Sequence, residues 1–144
     1  MAGALTVAKR LIDATNAHDL EAMLACFQPD YRSEQPAHPA RTFEGIDQVR
    51  KNWSTLMEAV PDIRWEVLRS AETADEAWLE ARLTGTQEDG TTLDEIGVVI
   101  LGVEQDKIAW GRLYVKEIEA DGGDIDATVS EMAGRDAPGE SAAR

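Results

Sequence analysis

The chain has 144 residues, with 28 acidic against 14 basic side chains, a net charge of −14 and a pI near 4.4. A protein this acidic repels phosphate backbones and anionic lipid surfaces, which argues against nucleic acid and membranes as partners. The length suits one domain able to bury a core, 43% hydrophobic and 29% charged residues suit a globular protein, and no apolar run approaches the roughly 18 residues of a membrane span.

Val7, Ala8, Leu11, Ile12 and Thr15 fall on one helical stripe, which predicts a first helix from about Leu5 to Ala17. Asp19 is placed to cap a second, short helix, with Glu21 in its first turn and Leu20, Met23, Leu24 and Phe27 as its apolar face. Pro29 is read as the stop. Cys26, the one cysteine, reads as a buried free thiol on that helix. It allows no disulfide within the chain, and residues 1–10 carry no leader-like apolar run, so a reducing cytoplasm is the expected location.

Tyr31 to Gln35 alternates as a strand, Pro36 and Pro39 break it, and Arg41 to Glu44 returns as a second short strand. Ile46, Val49, Trp53, Leu56, Met57 and Val60 recur at helical spacing until Pro61. Four strands follow: one around Ile63–Leu68, then Ala77–Thr86, a turn at Glu88-Asp89-Gly90, Leu93–Val103, a turn at Gln105-Asp106-Lys107, and Ile108–Ile118. The order α-α-β-β-α-β-β-β-β predicts an α+β fold in which three helices of the N-terminal half pack on a curved, mostly antiparallel sheet to form a cone. The cone is expected to span residues 1–120. Residues 121–144 are expected to form a tail, with Ile125, Val129 and Met132 making one or two helical turns against the body and a disordered end from Gly134.

Several segments carry a family likeness: His18-Asp-Leu-Glu-Ala-Met-Leu-Ala-Cys-Phe27, Pro29-Asp-Tyr31, Phe43-Glu44-Gly45, Trp53 in the third helix, Gly85-Thr86 and Asp106-Lys-Ile-Ala-Trp-Gly-Arg-Leu-Tyr114. Over residues 5–119 the chain resembles the nuclear-transport-factor-2-like superfamily, and within it the SnoaL-like polyketide cyclase and ketosteroid isomerase branch. That resemblance implies the cone fold and leaves function open, because the fold serves isomerases, cyclases, epoxide hydrolases, dehydratases and binding domains. It implies that Leu11, Gln35 and Gly97 stand where ketosteroid isomerases carry an oxyanion-hole tyrosine, a general-base aspartate and a second oxyanion acid. None of the three can supply that chemistry, which argues against ketosteroid isomerisation. The acid/base positions of SnoaL-like cyclases fall near Gly97 and Gly111, again without a side chain.

Strand alternation puts Glu95 on the same face as Leu93, Gly97, Val99 and Leu101, making it the carboxylate expected on the inner wall. An acid in an apolar pocket can hold or take a proton near neutral pH. The catalytic candidates are therefore Glu95, with Gln35 and His38 orienting a substrate or water; each also reads as a hydrated or satisfied polar group. Phe27, Tyr31, Trp53, Met57, Trp65, Val99 and Leu113 are the candidate ligand contacts, and they also read as plain core. An apolar, aromatic cone suits a small hydrophobic molecule such as a polyketide or a steroid-like ring system.

Trp78, Ile96, Val98, Trp110, Arg112 and Tyr114 share the opposite face of the sheet and suggest a homodimer interface; a β-bulge turning Arg112 and Tyr114 inward is the alternative. No cofactor is implied, and the two histidines and the Asp121–Asp126 segment have neither zinc nor calcium-loop spacing. The functional expectation is a cofactor-free isomerase- or cyclase-type enzyme, against a non-catalytic ligand-binding protein or a dimeric scaffold with a filled cone.

Overall fold

The computed structural model describes residues 2–135. Helices α1 (Ala4–Asn16), α2 (Leu20–Leu24) and α3 (Ile46–Ala59) lie against a six-stranded sheet. Its strands are β1 (Phe27–Glu34), β2 (Phe43–Glu44), β3 (Arg64–Glu72), β4 (Glu76–Thr86), β5 (Thr92–Glu104) and β6 (Lys107–Glu117), in spatial order β2-β1-β6-β5-β4-β3. All pairings are antiparallel except β1 with β6. The sheet is open, and its concave face receives the helices.

Helix α1 turns Val7, Ala8, Leu11, Ala14 and Thr15 inward, the 3.6-residue stripe seen in the sequence. The buried Thr15 hydroxyl donates to the Leu11 carbonyl at 2.7 Å, satisfying its one polar group inside the helix. The end of α1 is fixed by Asn16. Its amide nitrogen donates to the Trp65 carbonyl at 2.9 Å and its amide oxygen accepts from the Trp65 N–H at 2.8 Å, so one side chain pairs with β3 as a neighbouring strand would. His18 then reverses the chain at φ +56° and its Nε2 contacts the Ile63 carbonyl at 2.8 Å. Asp19 caps α2 by accepting from the Ala22 N–H.

The structure moves several boundaries: β2 is only Phe43–Glu44, with Arg41 in a 3₁₀ turn, β3 runs on to Glu72, and the passage from α2 to β1 shifts most. Helix α2 ends at Leu24, so Cys26 and Phe27 lie beyond it, and Phe27 opens β1 rather than closing the helix. Pro29 thus lies within a strand. It is tolerated because the β1–β6 pairing is interrupted between Phe27 and Arg32, where no N–H has to be donated. Gln35 is the residue after β1, not its last.

The β3–β6 meander follows the predicted alternation. Gln105 and Asp106 both have positive φ, the geometry that matches a two-residue hairpin to strand twist. Bulges interrupt the β3–β4 pairing at Leu68 and the β5–β6 pairing at Ala109. The second bulge changes the parity of β6, so that Ile108 and Gly111 are both buried while Trp110, Arg112 and Tyr114 turn outward. At Gly97 a Cβ would overlap the Tyr114 carbonyl and the Val115 backbone, so the close approach of β6 leaves no room for a side chain there.

Beyond β6, Asp124 caps α4 (Ile125–Met132) through the Ala127 N–H. The expected helix forms, but not against the body: Ile125, Val129 and Met132 are 73%, 54% and 83% exposed. Most of the expected disordered end, residues 136–144, lies outside the described residues.

Candidate functional site

Two adjoining chambers lie between the concave face and the helices. The inner one, about 90 Å³, is bounded by Leu11, Thr15, Met23, Leu79, Val99 and Leu101. The outer one, about 270 Å³, is bounded by Ser33, Gln35, Arg41, Asn52, Glu95 and Val115 among others. Phe27, Tyr31, Trp53, Trp65 and Leu113 line both, so the two share a wall. Apolar groups dominate the inner chamber and polar groups collect around the outer one.

Of the expected ligand contacts, Phe27, Tyr31, Trp53, Trp65, Val99 and Leu113 line the cavity. Met57 does not; it packs between the two apolar clusters of the core, where α3 crosses the sheet. Glu95 lies on the outer chamber wall, half-buried, as strand alternation requires. Among the described residues no arginine or lysine forms an ion pair with it. Its neighbour across the strand pair is Glu117, another carboxylate.

Gln35 lines the outer chamber, and Arg41 donates to its amide oxygen at 2.9 Å. Arginine can only donate, so this bond fixes the amide with its oxygen toward Arg41 and leaves the amide nitrogen as the free donor. His38 is exposed just before a short 3₁₀ turn (Pro39–Arg41) and stands outside the cavity lining, whereas Arg41, also exposed, borders the outer chamber.

Sequence reasoning missed Arg41, Ser33, Asn52 and Thr15 as lining residues. Ser33 had a readable signal: it shares strand parity with Tyr31 and Gln35. Arg41 had none, since its direction depends on the loop path.

Tyr31 is 5% exposed, with Phe27 and Phe43 edge-on to its ring at centroid distances of 4.6 and 6.2 Å. Burial pushes its phenol above the ordinary pKa, partly opposed by the Ser33 hydroxyl beside it. Burial likewise raises the Cys26 thiol, whose Sγ lies 3.5 Å from the Ala22 carbonyl. A thiol held protonated and tucked under a helix is not a nucleophile. Among the described residues, no three His, Cys, Asp or Glu side chains gather into a group able to hold a metal ion. No helix among them is long and apolar enough to cross a membrane.

On the convex face, Trp78, Ile96 and Tyr114 are 42%, 38% and 44% exposed, and Arg112 and Tyr114 point outward rather than into the cone. Ile100 is buried on that same face between its register partners Trp78 and Arg112.

Comparison with known proteins places this architecture. No curated protein matches the chain. A protein from Mycobacterium tuberculosis, RV0760c, solved in complex with estradiol-17β-hemisuccinate, superposes with a TM-score of 0.69 at 20% identity over 84% of this chain and 97% of its own. A computationally designed 17-OHP binder gives 0.68 at 21% identity over 84% and 96%. A protein from Jannaschia sp. CCS1 that bears the name SnoaL-like polyketide cyclase gives 0.67 at 21% identity over 93% and 92%. At these identities the likeness speaks for the fold alone. The sequence model of the SnoaL-like domain matches residues 8–110, most of the cone, and the chain therefore belongs to the SnoaL-like domain family.

Proposed function

We propose that the cone binds a small, largely hydrophobic ring molecule and acts on it as a cofactor-free isomerase- or cyclase-type enzyme. The observation that carries this reading is Glu95: a carboxylate that forms no ion pair among the described residues, on the wall of a cavity whose inner half is apolar. Such a group can take a proton from a bound molecule and return it elsewhere. Gln35, held by Arg41, offers an amide donor at the same end of the cavity. The steroid-derived ligand named for the mycobacterial structure and the 17-OHP binder support a flat, apolar occupant.

The test is mass spectrometry of the purified protein under native conditions for a carried ligand, followed by incubation of that ligand with wild type and Glu95→Gln. An isomerised, cyclised or dehydrated product with wild type only supports the enzyme reading. Retained binding with no product from either protein would leave a ligand carrier. The scaffold reading, a cone filled by Trp53, Met57 and Trp65, is disfavoured because Trp53 and Trp65 border open volume and Met57 lies away from it.

The exposed Trp78, Ile96 and Tyr114 on one sheet face support a homodimer through that face, with Arg112 beside them. Sedimentation equilibrium checks it: Tyr114→Asp should yield a monomer. The protonated, buried Cys26 suits a reducing compartment and supports a cytoplasmic location.

A further inference from the structure

Tyr31 is one of the polar groups inside the cone that the Glu95 assignment leaves unused, and the most deeply wedged by aromatic rings. It rises from the middle of β1 and lines both chambers, on the wall they share. Its aromatic ring is wedged by Phe27 and Phe43, which restricts it to one orientation. That orientation puts the hydroxyl over the backbone of Gly111 on β6, where a Cβ would overlap the phenol oxygen and approach Leu101 Cδ2 to 3.3 Å. The bare strand at Gly111 is therefore filled by a phenol arriving from β1. Ser33 is the register partner of Gly111, is 5% exposed and lines the outer chamber on the same face as Tyr31. Two hydroxyls thus share one stretch of a wall that also carries Phe27, Leu113 and Val115, with Gln35 beyond Ser33 at its polar end.

We infer that Tyr31 and Ser33 form a hydrogen-bonding station that receives one oxygen atom of the ligand, and that the occupant is therefore a ring molecule bearing a carbonyl or enol oxygen. The inference rests on the ligand-pocket reading above and adds what that reading lacks, a recognised functional group. A phenol offers its O–H to a carbonyl oxygen, which accepts, and the serine hydroxyl can donate either to the ligand or to the phenol oxygen. An apolar surround penalises any ligand that leaves these hydroxyls unpaired, so the station selects for an oxygen at that position. Tyr31 is here a specificity-determining residue, and its action needs neither Glu95 nor Gln35.

The test uses two probes with the same bicyclic skeleton, 1-tetralone and tetralin, titrated calorimetrically into wild type, Tyr31→Phe and Gly111→Ala. The quantity read is the ratio of the tetralin Kd to the tetralone Kd, together with the infrared carbonyl stretch of bound tetralone. Removing one good hydrogen bond should lower that ratio about tenfold in Tyr31→Phe and move the stretch to higher frequency. Gly111→Ala keeps the phenol but displaces it, and should shift both readouts in the same direction. It also decides the matter through the stretch alone if Tyr31→Phe does not fold. Binding of both probes with ratio and stretch unchanged in the variants overturns the station while leaving the pocket standing. Failure of wild type to bind either probe overturns the pocket reading, and the station with it.

Discussion

The Tyr31 hydroxyl occupies the space that any side chain at position 111 would need, so β1 supplies from one side what β6 omits from the other. This relationship explains how a cone can lack a side chain at Gly97 and Gly111 and still present polar groups. At Gly97 the reason is different: the β6 backbone itself fills the space.

The pair predicts strong coupling. Gly111→Ala should destabilise by about 1–3 kcal/mol, the usual range for forcing an extra methyl into a packed wall. With Tyr31→Phe in the background, the overlapping oxygen is gone and the same substitution should cost clearly less. A double-mutant cycle by urea denaturation measures the difference, and additive costs would show that Gly111 is not held open by the phenol.

Asn16 and Trp65 form the second junction on which the cone depends. Replacing Asn16 with Ala removes both hydrogen bonds and strands a backbone N–H and C=O at half-buried positions, with an expected loss of about 1–3 kcal/mol. Asn16→Asp retains only the acceptor and should fall between. Ranking the two variants against wild type by chemical denaturation checks the order.

At high pH the buried phenol should limit stability. The folded-state pKa of Tyr31 is raised above its ordinary value of 10, chiefly by burial. A raised folded pKa means that the group's contribution is complete below the unfolded value and is lost as pH climbs past it. Stability should therefore decline as pH rises above about 10, and decline less in Tyr31→Phe, which has no proton to lose. Equal declines in the two proteins would contradict the burial of the hydroxyl.

Acid acts through Asp62, which accepts from the Thr86 N–H at 2.7 Å and from the Thr86 hydroxyl at 2.8 Å, joining the start of β3 to the end of β4. These bonds hold its carboxyl below the ordinary value of 3.8. A depressed pKa contributes stability above the unfolded value that is lost as pH falls through the folded one. Asp62→Asn should consequently show a shallower loss of stability below about pH 4 than wild type. Parallel acid limbs would show that the Thr86 contacts contribute nothing.

How far the sequence carried these results varies by element. Helix α3 and strands β4 and β5 were legible because their periods of 3.6 and 2 run over many residues, whereas the bulges in β3 and β6 left no mark in the pattern. The inward direction of Glu95 followed from parity alone. The start of β1 was not legible, because Phe27 fits the helical stripe of α2 and Pro29 reads as a stop; only the gap in β1–β6 pairing makes a strand proline harmless. Arg41 and His38 sit in a loop whose path no period dictates, so which of them borders the cavity was invisible. The helix at Ile125–Met132 was readable from its stripe, but the stripe says that a face is apolar and not whether anything covers it. Gly111 was correctly seen as a missing side chain, whereas its replacement by Tyr31 requires the parallel β1–β6 pairing, a contact far apart in sequence.

The most direct test of ligand binding in the cone is methyl NMR of the protein titrated with 1-tetralone. Saturable shifts of the Leu11, Leu79, Val99, Leu101 and Leu113 methyls, with Ile96, Val98 and Ile100 on the outer face unmoved, are the predicted result. Shifts confined to the outer-face methyls, or none at saturating probe, would contradict the account.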